Sequence, residues 1–139
     1  MIYFDNAATS FPKPPMVARA MAGTLNKIGG NPGRAGHSLS LCGGRVIQRC
    51  REVLAEAFGA KAPEQVIFTS GCTEALNLAI RGMLHQGDQV LCSHGEHNAV
   101  MRPLKELEAA GQITVRVLKP NSLGLVTPEA IEEAVTPKT

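Results

Sequence analysis

The chain reads as an α/β protein, a parallel βαβαβ sheet preceded by an irregular, helical N-terminal segment. Three observations lead there. From residue 64 onward short β-prone runs alternate with helical ones. Strands joined through helices must run parallel, with right-handed crossovers. Before that point the apolar residues step only at helical spacings, around a loop rich in glycine and proline. With 139 residues, 44% of them hydrophobic and 19% charged, the chain has room for about one ordinary domain and buries enough surface to exclude disorder of its bulk. The expected division is 1–60, a segment with two helices and a Gly/Pro loop, and 61–139, the start of the α/β part.

In the first segment Val17, Met21, Leu25 and Ile28 recur at helical intervals, and Val46, Cys50, Val53, Leu54, Ala57 and Phe58 do so more strongly. Between them Gly29-Gly30-Asn31-Pro32-Gly33-Arg34-Ala35-Gly36 forbids a regular element and reads as a tight surface connector. The β-prone runs that follow are Gln65 to Thr69, Gln89 to Ser93 and Ile113 to Leu118. Helices fill the gaps, with Leu76, Ile80, Met83 and Leu84 on one face and Leu104 and Leu107 on another; Gly87-Asp88 and Gly111 mark the returns. Thr127-Pro128-Glu129 supplies an N-cap, a proline at the first helical position and an acidic first turn for a helix through about Val135. A further strand should come next, so the architecture is expected to be interrupted at Thr136-Pro137-Lys138-Thr139.

Composition narrows the functional classes. Lys+Arg 14 against Asp+Glu 12, with 4% aromatics and no basic run, gives no support for nucleic-acid binding. The apolar stretches fall short of the roughly 18 residues of a membrane helix, and Met1 opens onto Ile2-Tyr3-Phe4-Asp5 without a basic leader, so no membrane association and a cytoplasmic protein are expected. Cys42, Cys50, Cys72 and Cys92 contain no C-x-x-C pair and read as reduced thiols.

Parallel strands gather their C-terminal ends at the edge where α/β sheets bind ligands. Two segments land there. Thr69-Ser70-Gly71-Cys72-Thr73-Glu74 runs from a strand through glycine into a helix N-terminus, where free amides and the hydroxyls of Ser70 and Thr73 suit a phosphate. The plainer alternative is that Ser70 caps the helix and Gly71 turns the chain. Ser93-His94-Gly95-Glu96-His97-Asn98 brings imidazoles able to stack on a flat ligand, move protons or, with Cys92, bind zinc; two solvated loop histidines are the plainer alternative. An anion cradle beside a planar ring suits a phosphorylated heteroaromatic compound.

Tyr3-Phe4-Asp5-Asn6-Ala7-Ala8-Thr9-Ser10 with Pro12-Lys13-Pro14, Asn31-Pro32-Gly33-Arg34-Ala35-Gly36-His37-Ser38-Leu39-Ser40, Phe68-Thr69-Ser70-Gly71-Cys72-Thr73-Glu74-Ala75-Leu76-Asn77 and Glu96-His97-Asn98-Ala99 together resemble the cysteine desulfurases. That family belongs to the class V aminotransferases, with the type I pyridoxal-phosphate fold. The resemblance runs in order along essentially the whole chain. It implies that Cys72 and Thr73 form the turn that binds the phosphate of pyridoxal 5'-phosphate and that His97 stacks on its ring. Ala7, Ala8 and His37 would lie near the substrate. The implied reaction converts L-cysteine to L-alanine and an enzyme persulfide in a homodimer, with no metal.

The resemblance also implies missing parts, because it matches only the N-terminal third of such enzymes. Lys13, Lys27, Lys61, Lys105, Lys119 and Lys138 all lack the Ser-x-His context of the cofactor-holding lysine. Of the two aspartates, Asp5 and Asp88, the latter precedes its strand and so sits at the wrong edge to meet the pyridinium nitrogen. The persulfide-forming cysteine and the substrate-carboxylate arginine belong to the absent part, and Cys72 is not that nucleophile. No residue of this chain is therefore expected to be catalytic, and the chain alone is expected to be inactive. Alternatives are another class V member, such as a selenocysteine lyase or an aminotransferase, or a non-catalytic half that pairs with a separate chain.

Overall fold

The computed structural model describes residues 2–34 and 36–139; Met1, and Ala35 within the Gly/Pro loop, lie outside the described residues. The chain divides into two compact units, one running to Ile67 and one from Phe68 to Thr139.

In the first unit, Asn6 organises the opening segment: its amide donates to the Tyr3 carbonyl and its side-chain oxygen accepts from the Phe11 amide. Tyr3 and Phe11 meet edge to face with ring centroids 5.8 Å apart. Helix α1, Pro15–Lys27, starts with proline where the missing N–H costs nothing, and buries none of its residues. Helix α2, Ser38–Phe58, stops at Gly59, whose φ of 67° is the left-handed C-cap that glycine adopts without strain. The loop before α2 lies directly on it. A Cβ at Gly30 would come within 2.7 Å of the Leu39 backbone, and the buried Ser40 hydroxyl donates to the Asn31 carbonyl at 2.7 Å.

The second unit is the α/β part. Helix α3 spans Cys72–Met83, strand β1 Gln89–Ser93, helix α4 Asn98–Ala109, strand β2 Thr114–Leu118 and helix α5 Pro128–Glu132. β1 and β2 are parallel, in register from Gln89 opposite Thr114 to Ser93 opposite Leu118. Cys92, Leu104 and Ile113 form the core, with Ile80, Leu84, Val90 and Leu107 among the residues packed on it.

The expected strand from Gln65 to Thr69 does not pair. Gln65 closes a short 3-10 helix, Pro63–Gln65, and the sheet among the described residues is β1 and β2 alone. A β-prone run becomes a strand only beside a ladder partner, and the Val66 carbonyl instead accepts from the Arg51 guanidinium at 3.1 Å. Helix α5 ends at Glu132 rather than near Val135, although helical hydrogen bonding persists to the Val135 amide. Among the described residues no helix is long and apolar enough to cross a membrane.

Candidate functional site

The sheet sends both of its strands toward one edge, and β1 delivers the chain through the turn at His94 and Gly95 into α4. Glu96 closes that turn by accepting from the Ser93 amide and, at 2.7 Å, from the Ser93 hydroxyl. His97 then caps α4. Its Nδ1 accepts from the Ala99 amide at 3.0 Å, so the neutral ring carries its proton on Nε2 and the imidazole is held in one orientation.

Helix α3 begins differently. Gly71 is its N-cap, in extended backbone, and no side chain caps the helix start, which leaves the first amides of Cys72 and Thr73 without a side-chain acceptor. Ser70 is not the cap. Its amide and hydroxyl both donate to the Glu74 carboxylate, at 2.7 and 2.6 Å, so the hydroxyl expected to serve a phosphate is committed inside the chain. Those two bonds, the hydroxyl's first, hold the Glu74 carboxyl below its ordinary value. Asn77 reinforces the first turn by donating to the Thr73 carbonyl at 2.9 Å.

Between α3 and α4 lies a cavity of about 390 Å³, walled by Thr73, Asn77 and Arg81 on one side and His97, Arg102 and Glu106 on the other. Thr73 and His97 belong to the ends where the two helices start; the Arg81–Glu106 ion pair, 2.6 Å, bridges the helices two turns along. Donors at the α3 N-terminus, a hydroxyl and a fixed imidazole fit a flat ring that carries a phosphate. Of the residues named from sequence, Thr73 and His97 thus meet in one cavity. Cys72 occupies the first position of α3 with an exposed side chain outside the cavity lining, so only its backbone amide suits a phosphate.

Ala7 and Ala8 sit in an exposed turn of the first unit, where the Ala8 amide donates to the Asp5 carbonyl at 3.2 Å. His37 caps α2, its Nδ1 accepting from the Ser40 amide at 3.2 Å. His94 is exposed in its turn, while Cys92 is buried beside Met101, and burial pushes the Cys92 thiol up. Among the described residues no group of three His, Cys, Asp or Glu side chains is arranged to hold a metal ion. Asp88 stands just before β1, at the end of the sheet away from His97, and its carboxylate accepts from the His85 amide at 2.6 Å. Sequence reasoning missed the Glu74 clamp and Arg102; the carboxylate four residues after Ser70, poised for a first-turn contact, was the available signal for the clamp.

Known proteins resemble this chain in sequence and in fold. A cysteine desulfurase IscS of Shewanella sediminis is 38% identical over 99% of the chain, which spans 35% of that protein. A probable cysteine desulfurase of Borreliella burgdorferi is 31% identical over 100% of the chain and 34% of its own length. Among solved structures, SspA in complex with cysteine superposes with a TM-score of 0.82 at 32% identity, over 99% of this chain and 40% of that one. The chain therefore spans about a third of the length of the curated relatives it matches. Its α/β fold is that of the type I pyridoxal-phosphate enzymes. With the family model for aminotransferase class V matching residues 2–139, the chain belongs to that family.

Proposed function

We propose that this chain supplies the phosphate-binding turn and the ring-stacking histidine of a pyridoxal-phosphate-dependent cysteine desulfurase acting on L-cysteine. The observation that carries the reading is the convergence of Thr73 and His97 on one cavity between two helix N-termini. When bound, pyridoxal phosphate supplies the electron sink that this chemistry needs. The Thr73 hydroxyl and the first amides of α3 would hold the phosphate, aided by the helix dipole. His97, its orientation fixed through Nδ1, would stack on the ring and keep Nε2–H free to donate a proton or a hydrogen bond.

Among the described residues no lysine lines the cavity. By itself the chain is expected to release no sulfur from L-cysteine and to acquire no single site-specific cofactor label after borohydride reduction. The proposed compartment is the cytoplasm, supported by four cysteines that are all free thiols. The proposed assembly is a homodimer, supported by the exposed apolar stripe of Val17, Met21 and Leu25 along α1.

The test uses a protein that joins this chain to a cofactor-holding lysine. Thr73→Ala removes a donor to a charged group, so cofactor retention should weaken by about 1.5–3 kcal/mol. His97→Ala should lower both retention and turnover, because stacking and a proton donor go together, and His94→Ala should change neither. Cofactor dissociation, sulfide release and bound metal are measured for each variant. Equal effects at His94 and His97, with zinc in the parent, would refute the stacking assignment.

A further inference from the structure

We propose that Arg102 is a further anion-holding residue of this cavity, its guanidinium serving the phosphate end of the cofactor alongside Thr73. The inference rests on the cofactor reading above. Two arginines wall the cavity, Arg81 and Arg102, and their situations differ. Arg81 is neutralised by Glu106 at 2.6 Å. Among the described residues the Arg102 side chain has neither an ion pair nor a hydrogen bond. Glu106 is the acid one turn along its own helix, but an arginine placed four residues before a glutamate is the weaker orientation, and that carboxylate reaches across to Arg81 instead.

Helical side chains lean toward their helix N-terminus, so Arg102 leans toward the His97 end of α4. There the first amides of α3 contribute partial positive charge, since the α3 start has no capping side chain and the Glu74 carboxylate of its first turn is engaged by Ser70. The Arg102 side chain is exposed and, among the described residues, has no carboxylate partner, so its guanidinium is available to a dianion held at the α3 amides. The planar fork of arginine matches two phosphate oxygens at once, which neither Thr73 nor a single amide does.

The experiment titrates the chain with pyridoxamine 5'-phosphate and with pyridoxamine, probes that lack the aldehyde and so leave surface lysines unmodified. Far-ultraviolet circular dichroism checks that each variant keeps its fold. Arg102→Gln should weaken the phosphorylated probe about tenfold, with partial recovery in Arg102→Lys, and leave pyridoxamine unchanged. The exposed strand residue Arg116, changed to Gln, controls for loss of general positive charge. If Thr73→Ala weakens binding while Arg102→Gln matches Arg116→Gln, the Arg102 assignment falls and the cofactor reading stands. If Arg102→Gln weakens both probes equally, the phosphate role is wrong. If the parent does not prefer the phosphorylated probe, both proposals fail.

Discussion

Among the described residues up to Ile67 the buried positions are Ser40, Gly43 and Ala55, whereas from Phe68 onward they include Leu104, Ile113 and Leu118. Both units contain long amphipathic helices. In the first, the large apolar residues of those helices, among them Met21, Leu25, Val53 and Phe58, remain exposed, and the loop before α2 approaches that helix closely at Gly30 and Gly43. In the second, a two-stranded sheet gives the helices a surface to bury against, and Leu104 is 1% exposed. Helical periodicity reveals that a face is apolar; whether that face is covered depends on what packs beside it.

The contrast is sharpest at Leu104. Leu104→Ala removes three heavy atoms from the centre of the second unit, and the expected cost is about 2–5 kcal/mol through lost burial and the cavity left behind. Val53→Ala on the exposed side of α2 should stay within about 0.5 kcal/mol. Because the chain has two units, native-state hydrogen exchange read separately over α4 and α2 is the suitable measurement. Similar losses of protection in the two variants would mean that the first unit has an apolar core after all.

Glycines should take the place of a core in the first unit. A Cβ at Gly30 would meet the Leu39 carbonyl carbon at 2.7 Å, an atom of a helix backbone that cannot swing aside. Gly30→Ala is therefore expected to cost about 1–3 kcal/mol, as overpacking does elsewhere. At Gly43 the nearest atom is the Gly30 carbonyl oxygen at 3.1 Å, so a smaller loss is expected there. At Gly44, the next residue of α2, a Cβ would have nothing within 4 Å. Gly44→Ala should stabilise by about 0.5–1 kcal/mol by making the unfolded helix segment less flexible. Thermal unfolding of the three variants checks the order, and a destabilising Gly44→Ala would contradict it.

The same difference explains what the sequence made legible. The spacing of Val17, Met21 and Leu25, and of Val46, Cys50, Val53 and Leu54, marked α1 and α2; alternation of β-prone and helical runs marked β1, α4 and β2. Thr127-Pro128-Glu129 marked the start of α5, where the Thr127 hydroxyl accepts from the Ala130 amide. Pairing was not legible, because the run from Gln65 to Thr69 has strand composition and no ladder partner among the described residues. At the candidate site, Thr73 and His97 could be named from motif resemblance. Their shared cavity, the His97 cap and the Arg81–Glu106 bridge depend on how α3 and α4 lie side by side, which no local pattern encodes.

The smallest effect expected is a dependence on acid at the start of α3, which separates the site end of the second unit from its core. The Glu74 carboxyl is held below its ordinary value first by the Ser70 hydroxyl and then by the Ser70 amide, opposed by slight desolvation. A carboxyl lowered by folding favours the folded state fully once the pH is above the ordinary carboxylate range. That contribution is lost as the pH falls through the lower, folded value. Solvent screens so exposed a group, so the effect is confined to the turn. Glu74→Gln keeps an oxygen for Ser70 but no charge; it should protect the amides at the start of α3 slightly less than the parent at neutral pH and equally well at strongly acid pH. The Leu104→Ala deficit should persist across the same range, since no titrating group carries it. Hydrogen exchange at matched intrinsic rates measures both, and a Glu74→Gln difference that stays constant with pH would show that the Ser70 clamp works by shape rather than by charge.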